Sequence, residues 1–188
     1  MALLSNIGYL GYLLLSLLGT IRSQRNPSPY YSQKQYKVVC YFGSWAYYRP
    51  GEGKFDFEDI DTFLCTHAIY SFTNLQDNQI TPFDPYLDLK ENWGIGGYER
   101  FNNLKKKNPY LKTLISIGGW NEGSTKYSAM AADPNARATL VRSVVDFCLK
   151  YDFDGLDMDW EYPANRGGDP RDKQNFVTLL KVHFSEVD

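Results

Sequence analysis

The sequence predicts an α/β fold with a parallel sheet, of the TIM (β/α)8 barrel kind, with about the first four βα units present. Four short runs, Lys37–Phe42, Thr66–Phe72, Lys112–Gly118 and Gly155–Trp160, are rich in Val, Ile, Leu or aromatics. They are nearly continuous in apolar character, as strands covered on both faces are. Helical patterns lie between and after them, and strand, loop, helix in repetition makes a parallel sheet. The fourth run also carries acids at alternate positions, which suits the mouth of a barrel, where active sites gather at strand C-termini. A doubly wound open sheet is the competing architecture. No Gly-x-Gly-x-x-Gly follows any run, which argues against its dinucleotide-binding version.

The chain opens MALLSNIGYLGYLLLSLLGTIRSQ, apolar from about Ile7 to Ile21 and uncharged before Arg22. This matches a secretory signal over residues 1–23 better than a full membrane span of ~20 residues. An uncleaved anchor held by Arg22 and Arg25 is the alternative, and only then is a membrane a partner. Residues 24–35, polar and Pro-containing, read as a flexible linker. Residues 36–188 form the domain, in a chain long enough for one sizeable core. Its formal net charge of -2 offers no basic surface for nucleic acid.

Within the domain, only a weak helical turn near Phe57–Thr62 separates the first two strands, and the loop Thr73–Gly97 is unassigned. A helix over Tyr98–Lys107 stops at Asn108-Pro109. Asp133-Pro134 supplies an N-cap and first-turn proline for a helix to about Tyr151. Asp169-Pro170 starts another, with Phe176, Leu179, Leu180, Phe184 and Val187 facing inward. Of three cysteines, Cys148 shares a helical stripe with Val141, Val144 and Val145 and reads as a buried free thiol. Cys40 and Cys65 are therefore paired, in keeping with an oxidising compartment. Alternation agrees: with Tyr41 and Phe72 inward, Cys40, Cys65 and His67 all point outward.

The segment FDGLDMDWEYP concentrates four acids in an apolar stretch. Alternation puts Asp157, Asp159 and Glu161 on one face and Leu156, Met158 and Trp160 on the other. With the apolar set against the helices, the acids line the barrel's mouth. Close carboxylates repel, so at least one titrates high enough to act as a general acid. A Mg²⁺ or Ca²⁺ site is the competing use of three acids, but aromatics and glycines accompany them rather than further oxygen ligands. No cofactor or metal is expected. His67 and His183 read as structural, so zinc and Ser/His chemistry lack their parts. On the third strand Ser116, Gly118 and Trp120 share a parity that delivers an indole to the mouth.

DGLDMDWEYP resembles the DxxDxDxE signature of family-18 glycoside hydrolases, the chitinase family. LISIGGWNEG resembles that family's third-strand motif, and KVVCYFGSWAYYRPGEGKF with CTHAIYSF its first two strands in animal chitinases. The similarity runs from about Tyr36 to the end of the chain. It implies retaining hydrolysis of β-1,4 bonds in chitin or N-acetylglucosamine oligosaccharides by a secreted enzyme. Glu161 matches the proton donor, Asp159 the residue that orients the substrate's acetamido group, and Asp157 its inner partner. The acetamido carbonyl, not an enzyme carboxylate, attacks the anomeric carbon and gives an oxazolinium intermediate. Tyr41, Trp45, Phe72, Asp84, Pro85, Gly118, Gly119, Trp120, Asn121 and Tyr162 match substrate-binding positions. Asp154, of opposite parity, ties down the strand's entry. The resemblance stops early, since the family's Met-x-Tyr-Asp segment, inserted α+β domain and last-strand Trp have no counterpart. A fragment is the expectation, with an inactive chitin-binding, lectin-like protein as the alternative function.

Overall fold

The structure, a computed structural model, describes residues 36–187, with side chains to residue 181. The signal and linker expected over 1–35, and Phe184 and Val187 as inward-facing side chains, lie outside what is described. Five strands form one sheet: β1 (Val39–Gly43), β2 (His67–Gln76), β3 (Gln79–Pro82), β4 (Lys112–Gly118) and β5 (Gly155–Asp159). The order is β1-β2-β4-β5, with β3 antiparallel on β2 and the other pairs parallel. Successive parallel strands add on the same side without reversal. That is the winding of a barrel, whereas a doubly wound sheet reverses at a switch point.

The apolar face of this sheet carries the core. Phe42, Tyr70, Ile115 and Ile117 point to it, and Phe57, Tyr98, Phe101, Phe147 and Phe153 close over them. The rings meet edge-to-face or stacked: Tyr70 lies 5.4 Å from Phe101 at 88°, and 6.1 Å from Phe57 at 9°. Such pairs add to the gain from burying apolar area. Among the described residues there are six α-helices: α1 (Pro85–Asp88), α2 (Gly97–Asn102), α3 (Leu104–Lys107), α4 (Thr125–Ala132), α5 (Pro134–Tyr151) and α6 (Asp172–Val187). The Asp133 carboxylate accepts the Asn135 N–H at 2.8 Å and Pro134 fills the first turn of α5, so local chemistry sets its start.

Four sequence expectations need correction. The helix expected over Tyr98–Lys107 breaks at Asn103 into α2 and α3. The expected start at Asp169-Pro170 moves to Asp172: residues 169–172 close a tight turn, with the Asp172 N–H donating to the Asp169 carbonyl at 2.9 Å, before the helix begins. Part of the unassigned loop after Phe72 is strand: β2 runs on to Gln76 and turns through Asp77 and Asn78, both at positive φ, into β3. Alternation along β2 also fails. Tyr70 pairs with Ile115 and Thr73 with Ile117, so two residues, Ser71 and Phe72, oppose Ser116 alone. The bulge reverses parity, and His67, in register with Val39 and Lys112, falls on the concave side with Tyr41.

Candidate active site

Register places Asp157 opposite Ser116 and Asp159 opposite Gly118, with Glu161 two residues beyond the end of β5. Asp157 is the anchor of the group. Its Oδ2 accepts from the Tyr41 hydroxyl at 3.0 Å and from Ser116 Oγ at 2.7 Å. Tyr41 belongs to β1, three strand positions from β5. In a flat sheet those strands stand about 14 Å apart and their side chains project in parallel, out of mutual reach. The hydrogen bond therefore requires the sheet to curl strongly, as in a barrel wall.

Electrostatics follow from this crowding. Burial, then the charges of Glu161 and Asp157, hold the Asp159 carboxyl above the usual range. Burial and the Asp157 charge push the Tyr41 phenol up to about 12, so it remains a donor to that carboxylate. Close approach of β4 to β5 needs glycine. Gly118 has φ 120°, and a Cβ there would lie 2.1 Å from the Asp159 carbonyl oxygen. That oxygen accepts the Gly119 N–H at 2.8 Å.

Beside the acids lies a cleft of roughly 540 Å³ lined by Trp45, Tyr48, Phe72, Phe83, Asp84, Gly118, Gly119, Trp120 and Asn121, among others. Trp45 and Phe72 stack at 6.1 Å and 12°. One Asp84 oxygen accepts the Tyr48 hydroxyl at 2.7 Å, and the other caps the Tyr86 and Leu87 amides of α1 at 3.2 Å. Behind it the buried Asp88 accepts from Tyr70 Oη at 2.6 Å, Tyr98 Oη at 3.1 Å and the Asp84 N–H at 3.0 Å. Burial raises this carboxyl to about 6 despite those donors.

The expected site residues thus divide. Tyr41, Asp157 and Asp159 gather on the concave face with Glu161 beyond the strand's end, and Trp45, Phe72, Asp84, Gly118, Gly119, Trp120 and Asn121 line one cleft. Pro85 and Tyr162 are not among its lining residues. Pro85 occupies the first turn of α1, and the Tyr162 carbonyl accepts from Ser124 Oγ at 2.9 Å. Asp154 stands at the other end of β5, accepting the Thr113 N–H at 2.8 Å and Lys112 Nζ at 3.0 Å. Cys40 and Cys65 form a disulfide with Cα atoms 6.1 Å apart. Cys65 precedes β2, so the bend before the strand, not alternation, aims it. Cys148 is a free thiol pushed up to about 11 by burial. Among the described residues no group of three or more His, Cys, Asp or Glu is placed to hold a metal. Tyr48, Phe83, Glu122 and Arg166 escaped the sequence reading. Tyr48 sits one turn after Trp45, but nothing local announces its bond to Asp84, 36 residues on.

A curled parallel sheet with paired acids at a strand's C-terminal end and a ring-lined cleft beside them defines the class: a barrel of the glycosidase type. The chain belongs to the Glycosyl hydrolases family 18, whose model matches residues 37–188. Probable chitinase 2 of Drosophila melanogaster is 49% identical over 153 residues, 80% of this chain and 32% of that relative. The Ostrinia furnacalis Group IV chitinase, solved in complex with allosamidin, superposes with a TM-score of 0.75 at 46% identity, covering 80% of this chain and 40% of that one. Human YKL-39, described as a pseudo-chitinase with retained chitooligosaccharide binding, gives 0.65 at 37% identity, covering 79% and 37%. The chain spans about a third or less of the length of the curated chitinases it matches in Drosophila melanogaster and Manduca sexta.

Proposed function

We propose that this chain carries the acid-bearing part of a chitinase that hydrolyses β-1,4 bonds between N-acetylglucosamine units with retention. The observation that carries the reading is the triad on one face of β5 and just beyond it. Asp157 accepts from two hydroxyl donors, the Asp159 carboxyl is held above its usual range by burial and its two acidic neighbours, and Glu161 follows at the mouth end. In this reading Glu161 protonates the glycosidic oxygen as the bond breaks. Asp159, sharing a proton with Asp157, orients the acetamido group so that its carbonyl oxygen attacks the anomeric carbon. Glu161 then takes a proton from the water that opens the oxazolinium ring. Trp45, Phe72 and Trp120 give sugar faces an apolar platform, Asp84 and Asn121 offer polar contacts, and Gly118 and Gly119 let backbone approach the ligand. Pro85 and Tyr162 are assigned supporting contacts at the rim.

The same reading takes residues 1–23 as a secretory signal, 24–35 as a linker and 36–188 as the catalytic segment, in an extracellular protein. The apolar N-terminal run and the Cys40–Cys65 disulfide support it. Among the described residues no helix is long and apolar enough to cross a membrane.

The test is hydrolysis of N-acetylglucosamine oligomers beside a binding titration, for the wild type and Glu161→Gln. The variant is expected to lose at least ~100-fold in rate while binding holds, because the proton goes but the shape stays. Binding without cleavage by the wild type would favour the lectin-like alternative. Activity within a few-fold in the variant would remove Glu161 from its role.

A further inference from the structure

We propose that Arg166 is a positioning residue that fixes the Trp120 indole as a sugar platform beside Glu161; this rests on the chitin-cleaving reading above. One side chain joins three parts of the mouth. Its guanidinium lies over the Trp120 ring, 3.7 Å from the centroid. Its Nη1–H donates to the Trp120 carbonyl at 2.8 Å and to the Glu161 carbonyl at 3.2 Å. Stacking covers one face of the indole and leaves Trp120 59% exposed, so the opposite face is open to a ligand.

The segment that carries Arg166 is built to hold it. Ala164 and Arg166 have φ of 65° and 49°, a conformation that residues with a Cβ adopt only where their surroundings impose it. The surroundings do so. The Ala164 N–H donates to Asp172 Oδ2 at 3.1 Å, the Asn165 N–H to the Tyr162 carbonyl at 3.0 Å, and the Gly168 N–H to the Asn165 carbonyl at 3.0 Å. Asp172 is itself fully buried and accepts from Ser128 Oγ at 2.6 Å. A rigid loop thus delivers a forked cation to an exposed ring and to the backbone of the acid. An exposed indole otherwise samples several rotamers, and ordering it before the sugar arrives removes that cost from binding. Arginine suits the task because its planar fork stacks and donates at once, which lysine cannot reproduce.

The experiment uses the full-length chain and a hexamer of N-acetylglucosamine, with calorimetric binding and initial rates for the wild type, Arg166→Ala, Arg166→Lys, Trp120→Ala and the Arg166→Ala/Trp120→Ala double variant. Arg166→Ala is expected to raise Kd and KM about tenfold with kcat changed less than about threefold, and Arg166→Lys to fall between it and the wild type. The double variant is expected to bind no worse than Trp120→Ala alone, because Arg166 acts through that ring. A purely structural tether predicts additive losses and a common fall in kcat and thermal stability, and either result overturns the proposal. Should the Ala variant not fold, the Lys variant decides, and wild-type binding by it refutes the role. A wild type that neither binds nor cleaves the hexamer overturns the parent reading as well, whereas a binding wild type with indifferent Arg166 variants overturns this proposal alone.

Discussion

Asp154 and Asp159 stand at opposite ends of β5, within one short run of sequence, and their surroundings treat them in opposite ways. At the entry, burial alone would lift the Asp154 carboxyl, but the Thr113 N–H with Lys112 and Lys105 outweighs it and holds the group below the ordinary range. At the exit, Asp159 meets burial and two further carboxylates, and its carboxyl is held above that range. The strand is one piece of backbone; the charges assembled at its two ends differ. The entry end neutralises its acid and stabilises the fold. The exit end stores repulsion that a proton relieves, and a group that readily exchanges a proton is what hydrolysis uses.

Asp88 separates two explanations of that contrast, hydrogen bonding and opposite charge. It accepts as many donors as Asp154, yet all are neutral, and its carboxyl rises to about 6 because burial dominates and Asp84 adds a like charge. Since this value exceeds the unfolded ~3.9, the group's stabilising contribution is complete below pH ~4 and fades as pH climbs to about 6. Wild type and Asp88→Asn compared by thermal melts from pH 4 to pH 7.5 should therefore differ less at high pH, with the gap narrowing by up to ~2–3 kcal/mol. A gap that widened with pH would mean that Asp88 is held as a carboxylate like Asp154. Neutral donors would then suffice.

A smaller effect is expected from Tyr41→Phe, which removes one of the two hydroxyls on Asp157 and leaves Ser116. A hydrogen bond to a charged group contributes about 1.5–3 kcal/mol, and exposure of Tyr41 places this one at the lower end. Hydrolysis should fall about tenfold. Turnover within about twofold of the wild type would make Tyr41 a packing residue instead.

How legible the contrast was in the sequence depends on distance along the chain. The four parallel strands, the shared face of Asp157 and Asp159 and the α5 boundaries follow from alternation, apolar runs and the Asp133-Pro134 cap, all local features. Alternation broke at Ser71 and Phe72, because a bulge is decided by pairing with β4 and not by β2's own residues. The hairpin at Asp77-Asn78 and the break at Asn103 were lost to the same dependence on context. Partners were hardest to foresee. Tyr41 finds Asp157 across 116 residues and Arg166 finds Trp120 across 46, and no spacing rule joins such pairs before the sheet curls.

The smallest effect should come from the entry end. Asp154→Asn keeps the side chain's size and a carbonyl oxygen for the Thr113 amide, but gives up the charge that Lys112 and Lys105 face at 3.0 and 3.6 Å. Lys112 is more than half exposed, so solvent screens much of the pairing and the loss should be about 1 kcal/mol. A carboxyl depressed in the fold stabilises at any pH above its unfolded ~3.9 and stops doing so as pH falls through its lower folded value. The melting difference between wild type and variant should hence be steady from pH 5 to 8 and narrow as pH falls below the unfolded ~3.9. It should also shrink in 1 M salt, where the screening length is about 3 Å. Turnover per folded molecule should stay within about twofold, because Asp154 faces away from the acids at the mouth. A variant of normal stability but crippled turnover would place Asp154 with Asp159 in the chemistry, and the division of labour between the two ends of β5 would fail.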